Sequence, residues 1–399
     1  MCFKKTAEKQ QPQSAEMQPV ADNGLSGTKQ RNDYLDVVKF VALFFMLWGH
    51  VRAVCWGGDN ADYYLWWPTK LNIAFNMALF MVVSGYLFYF SAQKRTLKDL
   101  LITRSKPLLW TIVACGILYW LLTVGLIAVI NGDWKTLFSA GWLDYFNQYW
   151  FLWTVLACSV SLAICCKVTK KVWLQLLLTI PSFVILLFFP GANYNVWMYP
   201  FFVGGYFYAR LKDTKVVKIL TRFSFLAILF FPLFVIFMDM PHIVYFQDIY
   251  ITNMNFGENL LVWLFRWGAG FTGSISVLTI VKVIYDLVMK FKKDKRSKLL
   301  APIGKNSLEI YVLSCIFLTV YLAWAVQLVA KTPLNDAFVW IQSNLIFFNF
   351  VFALLVTVAY VVALQLLVVL LGKCKMGKVL FGRSSVSPKE KHKKAEKEN

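Results

Sequence analysis

The feature that most constrains this chain is a series of apolar segments that approach the length of a membrane crossing. A helix needs roughly 20 apolar residues to span the hydrocarbon core. The composition agrees, because 59% of the residues are hydrophobic and only 16% are charged, whereas soluble domains carry about 25% charged residues. The sequence therefore predicts an all-α membrane protein with about ten transmembrane helices, near 34–54, 69–91, 107–130, 149–166, 173–190, 196–211, 217–238, 260–289, 306–330 and 346–371.

The connections between these segments alternate in charge. Basic connections such as "QKRTLKDLLITRSK" and "KFKKDKRSK" alternate with connections that are poor in Lys and Arg, such as "PGANYN". Because basic loops remain on the cytoplasmic side of a membrane, both termini are predicted to be cytoplasmic. The net charge of +20 is then mostly a topology signal with some attraction to anionic lipid. The bilayer is the expected partner, and nucleic acid is not.

The two ends of the chain differ from the middle. Residues 1–31 are polar and lack an apolar core, so they are predicted to be a disordered cytoplasmic arm. Residues 32–372 form the predicted multi-pass membrane domain, and residues 373–399 a basic, disordered cytoplasmic tail. The eight cysteines show no CxxC pairs, which is typical of apolar packing residues. No metal site and no permanently bound cofactor are predicted.

The first apolar segment contains unusual polar residues in the stretch "DVVKFVALFFMLWGH", residues 36–50. In a helix, Asp36 and Lys39 are close enough to pair. Lys39 and His50 are eleven positions apart, which places them on one face, about 16 Å apart along the axis. Ionisable groups within membrane spans usually face a cavity or a partner. The alternatives are that Lys39 and Asp36 form a pair at the membrane surface and that His50 is an interfacial histidine.

Other spans supply polar residues at matching depths. The predicted outer layer contains His50, Asn76 (which shares a helix face with Asn72) and Arg266, and the alternative for Arg266 is an arginine that extends to the outer surface. The predicted inner layer consists of Asp36, Lys39, Arg104 and Glu309, with Lys106 close to Arg104 in the sequence. Such layering suits a transport pathway or an enzyme whose two substrates arrive from opposite sides.

Several stretches, in order along the chain, resemble the acyltransferase 3 membrane proteins, a family of O-acyltransferases of bacterial surface sugars. "RNDYLDVVKFVALFFMLWGH" is similar to the family's first span, where a basic residue and ten intervening residues precede a histidine. The lysine form is most similar to the fucose O-acetylase branch. Further similar stretches are "FNMALFMVVSGYLF", which contains Ser84, then "ITRSKPLLW", "YWFLWTVL" and "IGKNSLEIYVLS".

The resemblance implies an acyltransferase of bacterial inner membranes that moves an acyl group, usually acetyl, from cytosolic acyl-CoA to a sugar hydroxyl on a surface polysaccharide or lipid-linked glycan. Acyl-CoA is then a co-substrate. The residue matching His50 is taken as catalytic in the family and the residue matching Lys39 as essential. Two family histidines are absent, since this chain has Asn76 and Ser314 at the corresponding positions, and their roles do not transfer.

The chemistry agrees with this assignment, because removing a proton from a hydroxyl suits an imidazole. Our hypothesis is that His50 acts as the general base or carries the acyl group transiently. Lys39, Arg104 and Lys106 would bind the CoA phosphates, and Asn76 or Arg266 would stabilise the oxyanion. The main alternative is a transporter or flippase for a small anion or a glycan precursor, and the other is a scaffold without chemistry.

Overall fold

The computed structural model describes residues 32–56, 66–125, 142–186, 192–238, 256–291 and 300–381. These residues are helical, with no strand among them. The predicted arm at 1–31 lies outside the described residues, as does the 382–399 part of the predicted tail. Within the predicted tail, Lys375–Leu380 is a helix and Phe381 is buried.

The chain forms sixteen helices within the described residues, and three π-helical turns adjoin or lie within them (Leu121–Gly125, Phe317–Leu322 and Phe348–Phe352). The helices are α1 Asp33–Trp56, α2 Trp67–Lys94, α3 Leu97–Trp120, α4 Trp142–Asn147, α5 Trp150–Val168, α6 Val172–Leu186, α7 Ala192–Leu211, α8 Lys215–Arg222, α9 Leu226–Phe237, α10 Phe256–Lys290, α11 Leu300–Lys305, α12 Ser307–Ile316, α13 Ala323–Val329, α14 Asn335–Ser343, α15 Leu345–Lys373 and α16 Lys375–Leu380.

Among the described residues, six helices are long and apolar enough to cross a membrane: α1, α2, α3 with its π turn, α5, α10 and α15. The pair α8 and α9, bent by 66°, and the bent pair formed by Ser307–Ile316 with Val320–Val329 raise the number to eight if each crosses as one span. The predicted count of about ten is therefore not confirmed. Helix α6, with 15 residues, is shorter than a full crossing.

Helix α1 runs antiparallel to α2, and three contacts fix their register. The rings of Phe45 and Phe75 lie 5.2 Å apart, Gly49 faces Asn72, and Arg52 donates to Thr69. Moving one turn towards the C-terminus of α1 therefore corresponds to moving one turn towards the N-terminus of α2. We call the two ends of this helix pair the Lys39 end and the His50 end.

Glycines allow two further close approaches of backbones. A Cβ on Gly85 of α2 would lie 1.9 Å from the carbonyl oxygen of Phe202, and one on Gly205 of α7 would lie 2.0 Å from that of Val82. A Cβ on Gly304 of α11 would lie 1.7 Å from the Asp36 carbonyl oxygen of α1. Small residues at such crossings are typical of helix packing in membranes, and here they hold α7 and α11 against the helices that carry the polar residues.

Candidate active site

A cavity of about 160 Å³ lies between α1, α2, α3, α5 and α12. Its polar side chains are Lys39, Ser84, Ser307 and Tyr311. The rest of its wall is apolar and consists of Met77, Phe80, Val83, Leu87, Leu108, Phe151, Leu152, Val155 and Leu308. In composition, a mostly apolar wall with a few polar groups matches that of small-molecule sites, although the volume is smaller than the roughly 300–1,000 Å³ that is usual for them.

The stretches that carried the family resemblance meet at this cavity, although they are far apart in the sequence. The first supplies Lys39, the second Ser84, the third Leu108, the fourth Phe151 and the last Tyr311. Gly85 and Gly304 belong to two of the same stretches and pack α2 and α11 against their neighbours. These stretches therefore build one site together, either by lining it or by holding its walls.

Lys39 and Asp36 form the predicted pair, with Nζ 2.5 Å from Oδ1. Asp36 is buried, whereas the Lys39 side chain keeps partial exposure and lines the cavity. A buried carboxylate needs a partner. The pairing with Asp36 therefore holds the Lys39 ammonium in position at the cavity wall. The resulting site presents an ammonium group in the wall of a mostly apolar cleft.

His50 lies on the same face of α1 as Lys39, because α1 is unbroken from Asp33 to Trp56. Unlike Lys39, it is an exposed residue, and it is not part of the described cavity wall. The α1–α2 register places Met77, the cavity residue closest to the His50 end of α2, opposite Phe44. His50 is therefore six residues, or about 9 Å, beyond that end of the cavity.

Two apolar side chains cover the α1 face between Lys39 and His50. Leu43 and Met46 occupy the intermediate positions on this face, at spacings of four and seven residues from Lys39. Both are buried. The predicted helix face that aligns Lys39 with His50 is therefore present, but the buried side chains of Leu43 and Met46 occupy it between the two residues.

Amide side chains on α2 lie opposite Gly49, the residue that precedes His50. A Cβ on Gly49 would lie 2.3 Å from Nδ2 of Asn72, so the Asn72 amide occupies the space that a larger residue at position 49 would take. Asn76, one turn away and buried, donates from Nδ2 to Oδ1 of Asn72 at 3.4 Å. Asn72 and Asn76 thus form a polar ladder on α2 between the levels of Met77 and His50.

Of the two predicted CoA-binding cations on α3, only Arg104 approaches the cavity wall. Its Nη2 donates to the Ser91 hydroxyl and, at 3.4 Å, to the carbonyl oxygen of Leu87, which lines the cavity. Lys106 is exposed, and its position is about 200° around the helix from that of Arg104. The structure therefore brings Arg104 to the Lys39 end of the cavity but leaves Lys106 on the surface of α3.

The remaining predicted residues lie in different surroundings. Arg266 of α10 is buried, and its guanidinium carbon lies 4.3 Å from the ring centroid of Trp197 in α7, a cation–π contact. Arg266 is thus held in the α7–α10 interface. Glu309 is buried in the first turn of α12, the helix that contributes Ser307 and Tyr311 to the cavity.

Arg52 is a buried cation that the sequence reasoning missed. It is 0% exposed, its Nη2 donates to Thr69 Oγ1 at 2.6 Å, and its Nε donates to Oδ1 of Asn349. Its guanidinium also lies 4.7 Å from the ring centroid of Trp48, and Trp48 Nε1 donates to the Asn349 carbonyl oxygen at 3.2 Å. The sequence did contain a signal for Arg52, since an arginine only two positions after His50, within a predicted span, usually has a partner.

The comparisons with known proteins give one match. A family model described as an acyltransferase domain matches residues 32–364. The sequence has no significant match among curated proteins or among solved structures. The matched range includes every residue of the cavity wall and extends over α1 to most of α15.

Proposed function

Because the chain belongs to acyltransferase family 3 and is a multi-pass membrane acyltransferase, we propose that it is an O-acyltransferase that uses cytosolic acyl-CoA, with acetyl-CoA as the expected donor. The proposed acceptor is a hydroxyl of a cell-surface polysaccharide, lipid-linked glycan or similar sugar. The observation that best supports this proposal is the cavity at which five separated family-like stretches meet. The proposed location is the inner membrane of a bacterium, with both termini in the cytoplasm.

The donor is proposed to bind at the Lys39 end, on the cytoplasmic side. Lys39 and Arg104 place positive charge at or next to the cavity wall, and cationic side chains bind phosphate groups. Lys106, exposed on α3, would contribute only to the long-range attraction of the anionic nucleotide. The apolar remainder of the wall suits the pantetheine arm and a small acyl group better than it suits a sugar.

His50 is proposed to perform the proton chemistry at the other end. As a general base it would take the proton of the acceptor hydroxyl while the hydroxyl oxygen attacks the thioester carbonyl, and the C–S bond then breaks and releases CoA thiolate, which takes up that proton. As a transient carrier it would first accept the acyl group itself and then pass it to the acceptor. Its exposure would let an acceptor reach it, and the amides of Asn72 and Asn76, which lie on α2 at the level of Gly49 and one turn away, are candidate donors for a developing oxyanion.

Transfer would then require the thioester to pass Leu43 and Met46, which separate the cavity from His50. Met46 is suited to such a position, since an unbranched thioether side chain adapts to changes in packing. We propose that donor binding displaces Met46 and joins the cavity to the His50 end. The transporter alternative is not favoured, because family membership supports acyl transfer.

The test is transfer of label from [¹⁴C]acetyl-CoA to glycans by membranes that contain the full-length protein, followed by mass spectrometry of cell-surface glycans. Membranes with His50→Ala serve as the control. We expect the wild-type protein alone to add the mass of an acetyl group to a sugar. Label flux into proteoliposomes without consumption of acetyl-CoA would instead support a transporter.

A further inference from the structure

Helix α8, Lys215–Arg222, has a pattern that the proposed acyl transfer does not use. Its basic residues, Lys215, Lys218 and Arg222, fall within an arc of about 60° around the helix. Its apolar residues, Val216, Val217, Ile219 and Leu220, fall on a separate, wider arc. The apolar positions are exposed rather than packed in the protein, at 66% for Val216, 57% for Ile219 and 64% for Leu220.

The helix is held at a fixed angle to a membrane segment. Thr214 caps its N-terminus, since Thr214 Oγ1 accepts a hydrogen bond from Val217 N at 3.4 Å. At the other end, α8 and α9 are bent by 66°. The hydroxyl of Thr279 in α10 donates to the Ser224 hydroxyl at 3.1 Å, which ties the bend to the helix bundle.

The charges of α8 decide its position relative to the bilayer. Helix α9 is entirely apolar in sequence, "LAILFFPLFVIF", and belongs in the hydrocarbon. If α8 continued the same crossing, its three cations would enter the hydrocarbon, which is costly. A bend of 66° instead turns α8 away from the crossing direction, so that it lies along the membrane surface with its apolar arc in the acyl chains.

The location of α8 also matches one end of the molecule. Ser224 contacts Thr279, which follows Leu278, the residue whose carbonyl oxygen accepts from Tyr34 Oη at 3.1 Å. Tyr34 is in the first turn of α1, so α8 lies at the Lys39 end. Basic loops at this end are predicted to be cytoplasmic, and the cytoplasmic leaflet is the one with an anionic surface.

We propose that α8 is a lipid-binding helix that inserts Val216, Ile219 and Leu220 among the acyl chains and binds anionic phospholipid headgroups with Lys215, Lys218 and Arg222. The three cations favour binding to anionic rather than zwitterionic lipid. The exposed apolar arc favours a bilayer rather than a soluble anion as the partner. This inference does not depend on the acyl-transfer reaction.

The first test is hydrogen exchange of α8 in the full-length protein, reconstituted in nanodiscs that contain either phosphatidylcholine alone or phosphatidylcholine with phosphatidylglycerol. We expect slower amide exchange over Lys215–Arg222 with phosphatidylglycerol. Equal exchange in the two bilayers would overturn the selection of anionic lipid, and complete exposure in both would overturn insertion itself.

The second test uses matched charge variants and measures by native mass spectrometry how much phosphatidylglycerol the protein retains. The variant Lys215→Gln, Lys218→Gln, Arg222→Gln is compared with Lys98→Gln, Lys171→Gln, Lys305→Gln, which removes the same charge from exposed positions on other elements. We expect the α8 variant to lose affinity on the order of a hundredfold and the control to lose little. Equal losses in the two variants would show that α8 has no special role.

Discussion

The two ends of the Lys39–His50 helix face contain cations that are held in different ways. At one end Lys39 pairs with the carboxylate of Asp36 and remains partly exposed to a cavity. At the other end Arg52 is fully buried, and its described contacts are with Thr69, Asn349 and the Trp48 ring. Both residues are charged and belong to α1, but of the two it is Lys39 that lines the described cavity.

This difference separates a binding charge from a structural one. Lys39 is oriented by Asp36 and lines the cavity, where its ammonium can act as a donor to a ligand. The hydrogen bonds of Arg52 connect α1 to α2 and to the π turn of α15, so this residue fixes the frame around His50. We therefore expect changes at the Lys39 end to affect donor use, changes at Arg52 to affect stability, and changes at His50 to affect the chemical step.

The largest effect is expected from His50→Ala. Loss of a general acid–base group typically costs about 10²- to 10⁴-fold in rate, and loss of a covalent carrier costs at least as much. Because His50 is exposed, the thermal stability of the variant in detergent should remain close to that of the wild type. Labelled acetyl transfer measures the rate, and a folded variant with full activity would refute the proposed role.

Lys39→Gln should lower kcat/KM for acetyl-CoA by about 10²-fold, since it removes the charge that we propose binds the donor. Lys39→Arg should keep much of the activity. The single substitution also leaves Asp36 buried without its cation, which is destabilising. The double variant Asp36→Asn, Lys39→Gln should therefore recover stability but not activity. If it recovered both, Lys39 would contribute only to folding and not to donor binding.

Arg52→Met should lower the free energy of unfolding by about 2–3 kcal/mol, because it removes charge-assisted hydrogen bonds and leaves buried acceptors. The fraction that remains folded should keep its acetyl transfer rate per molecule. Intrinsic tryptophan fluorescence during heating measures the stability. Lys70→Met, a half-buried cation beside Thr69, is the matched control, and an equal effect of the two substitutions would argue against a special role of Arg52.

The smallest destabilisation that we expect from a change in the site region is that of Gly49→Ala. It is compared with Gly304→Ala, the matching glycine change at the Lys39 end. A Cβ on Gly304 would meet backbone of α1, whereas one on Gly49 would meet the end of the Asn72 side chain, which can move. Gly304→Ala should therefore destabilise the protein by about 1–3 kcal/mol, and Gly49→Ala should destabilise it by less. Adding Asn72→Ser to Gly49→Ala should reduce that smaller destabilisation. Gly257→Ala, which has open space around it, should be neutral. A reversed order would contradict the α1–α2 packing described above.

Much of the site could be predicted because the relevant information is local. Hydropathy predicts the helices, and the periodicity of a single helix places Lys39 and His50 on one face and Asp36 beside Lys39. The family resemblance is confirmed over residues 32–364, while the fucose O-acetylase branch stays a prediction. The proposed roles of the polar residues also stay predictions, since they depend on activity.

Other features needed the packed structure. The sequence placed Arg104 and Lys106 together, but their positions around α3 separate them. It grouped Arg266 with His50 by depth, whereas the described contact of Arg266 is with Trp197 in another helix pair. Depth along a span is readable from a sequence, but the neighbour across the interface is not.

By itself, the sequence determined that this chain is an all-helical membrane protein whose first helix aligns a lysine with a histidine. Only the tertiary structure decided that the cavity surrounds Lys39, that Leu43 and Met46 occupy the face leading to His50, and that Arg52 braces that end. The physical reason is that burial in lipid and helical periodicity act within a segment, whereas helix association in a membrane depends on close backbone approach at small residues such as Gly85 and Gly304. These close backbone contacts bring together side chains from different helices, and hydropathy does not predict which of them will be neighbours.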